Sequence, residues 1–113
     1  MPSSAAAYAA ALLGKIEEAI SYWRRAIAVD PWRSDYHAGL AHELARARSF
    51  AAALRASRRA IELNPANTLA RVTLIECLVR SGSRPQARAE FERLLEFDPP
   101  DRAGLTRWFE SLR

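Results

Sequence analysis

Three prolines recur at a fixed interval along the chain, and this period limits the possible folds more than any other feature. Pro31, Pro65 and Pro99 are each 34 residues apart. Each proline ends a similar segment, in which mainly apolar residues precede Asp-Pro or Asn-Pro: AIAVDP, AIELNP and LLEFDP. A fixed period of about 20–50 residues is typical of stacked structural repeats, and ~34 residues fits one helix-turn-helix unit.

The segments between these prolines carry the apolar spacing of helices. Leu40, Ala41 and Leu44 fall on one helical face, and the same pattern recurs one period later. Isolated glycines and the X-Pro pairs lie between such segments, and an X-Pro pair disfavours helix at the residue before proline. We predict breaks at Gly14 and Gly82 and helices over 3–13, 16–29, 34–47, 50–63, 68–81, 85–97 and 101–112.

A second regularity appears when each unit is numbered so that its proline is place 32. Place 20 is always small, with Ala19, Ala53 and Ala87. Place 24 holds Trp23 and Phe91 but Ser57 in the middle unit, and place 4 holds Ser3, His37 and Arg71. In its 34-residue period and in the small residues at place 20, the chain resembles the tetratricopeptide repeat family. That family has a helix crossing at place 20 and an aromatic residue at place 4, which is missing here.

The resemblance implies an all-α, right-handed solenoid of three helix-turn-helix repeats and a C-terminal capping helix. The expected units are repeat 1 at about 1–33, repeat 2 at 34–67, repeat 3 at 68–100 and the cap at 101–113. Repeat 1 has a degenerate first helix, because Ala6 and Ala10 stand at places that hold leucine in the other repeats. Asp101 is the predicted N-cap of the last helix.

Composition disfavours most kinds of chemistry. The single cysteine, Cys77, excludes an internal disulfide and a four-cysteine zinc site. His37 and His42 are five residues apart, about 140° around a helix, so they cannot share a metal. The four glycines are isolated, and no serine stands in a nucleophile motif. We therefore expect no enzyme activity, no cofactor and no metal.

The start of the chain bears on localisation. The Ala-rich segment has no basic residue before it and runs directly into charged residues, so we expect neither a signal peptide nor a membrane span. The expected localisation is cytoplasmic, as a whole protein or as part of a longer chain.

In the family that the chain resembles, five places of each first helix line a concave groove that binds peptides. Mapped onto this sequence, they give apolar residues interspersed with a few polar ones. The candidate groove residues are Tyr8, Leu12, His42, Arg46, Leu69, Val72, Glu76, Val79 and Arg80. A contiguous exposed apolar surface indicates a partner, and two arginines at one place in adjacent repeats favour a carboxylate. We predict a non-enzymatic protein–protein interaction scaffold that binds a peptide segment or helix.

The arginines leave an alternative open. The chain has sixteen arginines, one lysine and a net charge of +4, and the period aligns Arg25, Arg59 and Arg93 in one outer-face column. Such a column suits nucleic acid or an acidic surface. The modest charge and the lack of interleaved aromatic residues make nucleic acid the less favoured partner. Because the first helix of repeat 1 is degenerate, a homo-oligomer formed through the N-terminal helix is a further alternative.

One specialised function of the family is excluded by the sequence. Members that clamp the carboxyl tail of heat-shock chaperones need basic residues and asparagines at five places. Here those places hold Ser4, Tyr8, Gly39, Leu69 and Thr73. We therefore expect no chaperone-tail partner.

Overall fold

The computed structural model describes the backbone from residue 4 to residue 113 and the side chains from residue 12 onward. This part of the chain is all helical, which confirms the predicted all-α class. The helices are α1 (Ser4–Val29), α2 (Ser34–Arg46), α3 (Phe50–Leu63), α4 (Thr68–Arg80), α5 (Arg84–Glu96) and α6 (Arg102–Ser111).

The helices stack in chain order, as a helical repeat solenoid requires. The pairs α2–α3 and α4–α5 pack internally, α3 packs on α4, and the two first helices α2 and α4 lie side by side. Helix α1 packs on α2 at one end. The radius of gyration is 15.2 Å, larger than the ~13 Å of a compact domain of about this length. The described chain is therefore elongated, with extents of 50 × 36 × 24 Å.

The predicted break at Gly14 is wrong. Positions 14, 48 and 82 are one period apart, and in the two formed hairpins Arg48 and Gly82 turn the chain at φ values of 64° and 81°. Gly14 instead lies inside α1, which continues from Ser4 to Val29. One helix therefore replaces the two predicted over 3–13 and 16–29, and position 3 lies outside the described residues.

The sequence around Gly14 explains this difference. Folding back at Gly14 would be favoured by apolar contacts between the two halves of the repeat, but Ala6 and Ala10 offer much less area than leucine. The alanine-rich segment also favours an uninterrupted helix. One glycine inside a helix costs only about 1 kcal/mol, so the continuous helix is the better solution.

Two of the three small residues at place 20 lie where the resemblance expects them, whereas Ala19 is partly exposed within the continuous α1 and lies at no crossing of two helices of its own repeat. Ala53 and Ala87 are fully buried. Ala53 belongs to a core cluster with Ala41 and Leu44 of α2, while Ala87 belongs to the cluster that joins α4 to α5. Close approach also joins α1 to α2, because Gly39 lies directly against the Trp23 ring and has no room for a Cβ.

Two of the polar residues at place 4, those on α2 and α4, contact the turn that precedes their own helix. His37 Nε2 lies 2.9 Å from the carbonyl oxygen of Pro31, and Arg71 Nε donates to the carbonyl of Pro65 over 2.6 Å. Because a carbonyl oxygen only accepts, the histidine contact requires a hydrogen on Nε2. The two departures from the family pattern thus make one repeated contact, from place 4 to the preceding place-32 proline.

The last helix closes the far end through both polar and apolar contacts. The Asp101 side chain accepts from the backbone N–H of Gly104 at 3.0 Å, which confirms the predicted N-cap. Arg84 of α5 donates to the carbonyl of Leu112 at 2.7 Å, and Phe109 stacks on Phe91. These contacts fix α6 on α5 and cover the apolar end of the third repeat.

Candidate functional site

The adjacent helices α2 and α4 hold most of the predicted groove residues that the structure describes; this surface is called the α2/α4 face below. His42 and Arg46 lie on α2 and are exposed. On α4, Leu69 is 44% exposed, Val72 and Glu76 are partly buried, and Arg80 is exposed. The face thus combines one exposed apolar side chain with polar groups of both signs.

Val79 does not belong to the exposed part of this face. It is 8% exposed and lies in the core cluster with Leu78 and Phe91. The reason is that α4 is flanked by α3, α5 and α2, so apolar residues cover more of its circumference than one stripe. Val79 therefore contributes to packing, and the expectation of an exposed anchor there is wrong.

The two arginines of the α2/α4 face differ in their surroundings. Arg46 forms an ion pair with Glu43, one turn earlier on α2, with an N–O distance of 3.2 Å. Arg80 occurs in none of the ion pairs of the described residues. A ligand carboxylate would therefore compete with Glu43 at Arg46 and meet no such competitor at Arg80.

The two candidates on α1 lie on one continuous helix and not on the first helix of a hairpin. Leu12 is 39% exposed and lies in the N-terminal half of the continuous helix. The side chain of Tyr8 lies outside the described part of the chain. Because α1 does not fold back at Gly14, the contribution of these residues to a groove stays a prediction.

Sequence reasoning missed two grooves that cross the opposite side of the molecule. The first outer groove lies over α2 between α1 and α3, has a volume of about 420 Å³ and is lined by Arg24, Ile27, His37, Leu40, Leu44, Ala52, Arg55 and Ala56. The second outer groove lies over α4 between α3 and α5, has a volume of about 240 Å³ and is lined by Arg58, Ile61, Glu62, Arg71, Leu74, Glu90 and Arg93. The signal in the sequence is the 34-residue spacing of Arg24 and Arg58.

A third concave surface lies at the α1 end. It has a volume of about 390 Å³ and is lined by Tyr22, Arg25, Ala26, Val29 and Tyr36. Tyr22 and Val29 are exposed there. Self-association through the N-terminal helix stays a prediction.

Comparison with known protein families decides the assignment of the fold. A family model described as tetratricopeptide repeat matches residues 44–106, more than half of the chain. The chain belongs to the tetratricopeptide repeat family. A second tetratricopeptide repeat model matches residues 5–31, a range that includes Gly14. No curated protein matches the chain.

Membership in the tetratricopeptide repeat family supports a coarse function. Repeats of this family generally mediate protein–protein interaction, and the proteins that carry them are typically non-enzymatic scaffolds. Within residues 4–113, no helix is both long and apolar enough to cross a bilayer.

The repeat domain has little that resembles a chemical site in its described part. No group of three His, Cys, Asp or Glu side chains there is arranged to hold a metal. Cys77 is fully buried, and this burial, with a smaller contribution from the negative charge of Glu76, raises the pKa of its thiol to about 11. Because the thiolate is the reactive form, both the burial and the raised pKa disfavour reaction at Cys77.

Proposed function

We propose that this tetratricopeptide repeat domain is a non-enzymatic scaffold whose α2/α4 face binds a peptide segment or helix of a partner protein. The observation that carries the proposal is the exposed Leu69 on a helix that lies beside α2, with Val72 and Glu76 partly exposed along the same helix. An apolar side chain among polar ones is typical of surfaces that bind short peptide elements.

The charge on this face favours a partner with a carboxylate near its apolar anchor. Arg46 and Arg80 occupy equivalent places one period apart on neighbouring helices. Arginine suits this role because its planar guanidinium can donate two parallel hydrogen bonds to a carboxylate.

The alternative, an outer-face arginine column that binds nucleic acid or an acidic surface, has less support. Arg59 forms an ion pair with Glu62 at 3.1 Å, and its guanidinium lies 5.5 Å from the Trp32 ring centroid. Arg93 lies 3.9 Å from a carboxylate oxygen of Glu90. These internal partners reduce the charge that the column offers to a ligand.

The test begins with peptides selected from a random library on the immobilised full chain. Binding is measured by fluorescence anisotropy for the wild type and for Arg46→Glu with Arg80→Glu. We expect the double variant to raise Kd by about tenfold or more, because each reversal replaces an attraction to the carboxylate by a repulsion. Both residues are exposed, so the helical circular dichroism should not change.

The matched control reverses the same number of charges in the column, as Arg25→Glu with Arg59→Glu. We expect this variant to change Kd by less than about threefold, since surface charges away from a site act mainly through screened, long-range attraction. If the column variant abolishes binding while the α2/α4 variant does not, the proposed face is wrong. The binding constant for an oligonucleotide would then be measured against salt concentration. A log–log slope near the number of phosphate contacts would favour nucleic acid.

A further inference from the structure

The two outer grooves are copies of one structural feature. Five lining positions of the first recur in the second one period later, as Arg24 and Arg58, Ile27 and Ile61, His37 and Arg71, Leu40 and Leu74, and Ala56 and Glu90. Each groove crosses a first helix and lies between two flanking helices, which are the C-terminal half of α1 and α3 for the first outer groove, and α3 and α5 for the second. The two grooves can therefore be compared position by position.

The two outer grooves differ in the charged side chains that line them. The second outer groove contains two acidic residues, Glu62 and Glu90. The positions one period before these two residues hold Ala28 and Ala56. The first outer groove is also lined by Arg55, and the position one period after Arg55 holds alanine. The first outer groove therefore has two arginines and no acidic lining residue.

In the second outer groove, Glu90 partly neutralises two of the three lining arginines, whereas Glu62 pairs with Arg59, which does not line the groove. Glu90 lies 3.7 Å from Arg71 and 3.9 Å from Arg93. In the first outer groove, Arg24 and Arg55 occur in none of the ion pairs of residues 12–113. Their helical neighbours at three and four residues in either direction include no acid. The nearby acid on α2, Glu43, is already paired with Arg46.

The floor between these arginines is apolar. Ile27 of α1 and Leu40 and Leu44 of α2 line it, together with two alanines of α3. The volume of about 420 Å³ is enough for a few side chains, and no Phe, Tyr or Trp is present on which a base could stack. The arrangement suits a ligand in which apolar and acidic groups are neighbours.

We propose that the first outer groove is a second binding site, which takes a peptide segment with an Asp or Glu beside a Leu or Ile. The carboxylate binds between Arg24 and Arg55, and the apolar side chain packs on Ile27 and Leu40. Leu40 and Leu44 are each two positions from His42 in the sequence. This spacing places them about 160° away from His42 around the axis of α2. The site is therefore separate from the α2/α4 face and does not depend on it.

The experiment uses an array of peptides that place Glu beside Leu, each matched with a peptide that has Gln instead of Glu. We expect the full chain to prefer the Glu members, and Arg24→Glu with Arg55→Glu to raise the Kd of a preferred peptide by about tenfold or more. Arg58→Glu, the same place in the second outer groove, is the control and should change Kd by less than about twofold.

A second variant adds the neutralising acid instead of removing the arginines. Ala28→Glu reproduces the position of Glu62, four residues after Arg24 on the exposed side of α1. The added carboxylate lies one helical turn from both Arg24 and Arg25 and lowers the positive potential at the rim of the groove, so we expect a rise in Kd of about threefold or more with unchanged helicity. Retained binding by Arg46→Glu with Arg80→Glu is also expected, because that variant alters only the opposite face.

Three results would overturn the proposal. The first is equal binding of the Glu and Gln peptides. The second is an equal loss of binding in the Arg58→Glu control and in the double variant of the first outer groove. The third is that a single-stranded oligonucleotide, and no peptide of the array, requires Arg24 and Arg55, which would make the groove a phosphate site.

Discussion

Ala53→Arg is expected to abolish cooperative folding of the domain. Ala53 is fully buried at the crossing of α2 and α3, in a cluster with Ala41, Leu44 and Cys77. Overpacking of a core costs typically about 1–3 kcal/mol, and an unpaired buried charge adds several kcal/mol more. Together these costs approach the ~5–15 kcal/mol that stabilises an ordinary domain. The effect should be largest here because both hairpins contact this cluster.

The measurement is circular dichroism with thermal unfolding, and the control is Ala51→Arg two residues earlier. Ala51 is exposed on the same helix, so the same side chain is added there without burial. We expect the control to melt within a few degrees of the wild type and Ala53→Arg to show no cooperative transition. A cooperative transition near the wild-type temperature for Ala53→Arg would contradict the assigned crossing.

Phe109→Ala is expected to destabilise the C-terminal end by about 3–5 kcal/mol, the usual range for a buried phenylalanine. The Phe109 ring is fully buried and stacks on Phe91 with a centroid distance of 4.6 Å and an interplanar angle of 4°. The guanidinium groups of Arg84 and Arg88 lie 5.0 and 5.4 Å from the same ring centroid. Removal of the ring leaves a cavity and loses all of these contacts.

Urea unfolding and native-state hydrogen exchange measure the effect, with Glu110→Ala as the exposed neighbouring control. Because a repeat array is stabilised mainly by nearest-neighbour contacts, protection should fall most in α5 and α6 and least in α2. A destabilisation below about 1 kcal/mol, or a uniform loss of protection, would show that α6 does not close the array.

The 34-residue period of the sequence predicts the fold. The prediction fails in the first repeat, where large apolar residues are scarce in the first half. The small residue at place 20 of the second and third repeats, the turn at Gly82 and the Asp101 cap are local features with a direct physical reading, and the structure agrees with each. Gly14 has the same place as Gly82, yet only the balance between helix propensity and tertiary contacts decides whether that place turns. That balance depends on packing, which the period does not report.

The site was less predictable because it depends on several helices at once. The exposure of Leu69 and the burial of Val79 follow from which neighbours surround α4. The first outer groove combines side chains of α1, α2 and α3. Its arginines look like ordinary solvated charges until the second outer groove, with its two acids, provides the comparison.

NMR chemical-shift mapping shows directly whether peptides bind across the α2/α4 face. A library-selected peptide is titrated into the ¹⁵N-labelled full chain, and shift changes are followed at every assigned amide. We expect the largest changes at His42, Glu76 and Arg80, with the amides of α5 nearly unchanged. Changes concentrated in α3 and α5, with the amides around Glu76 and Arg80 unaffected, would contradict binding at this face.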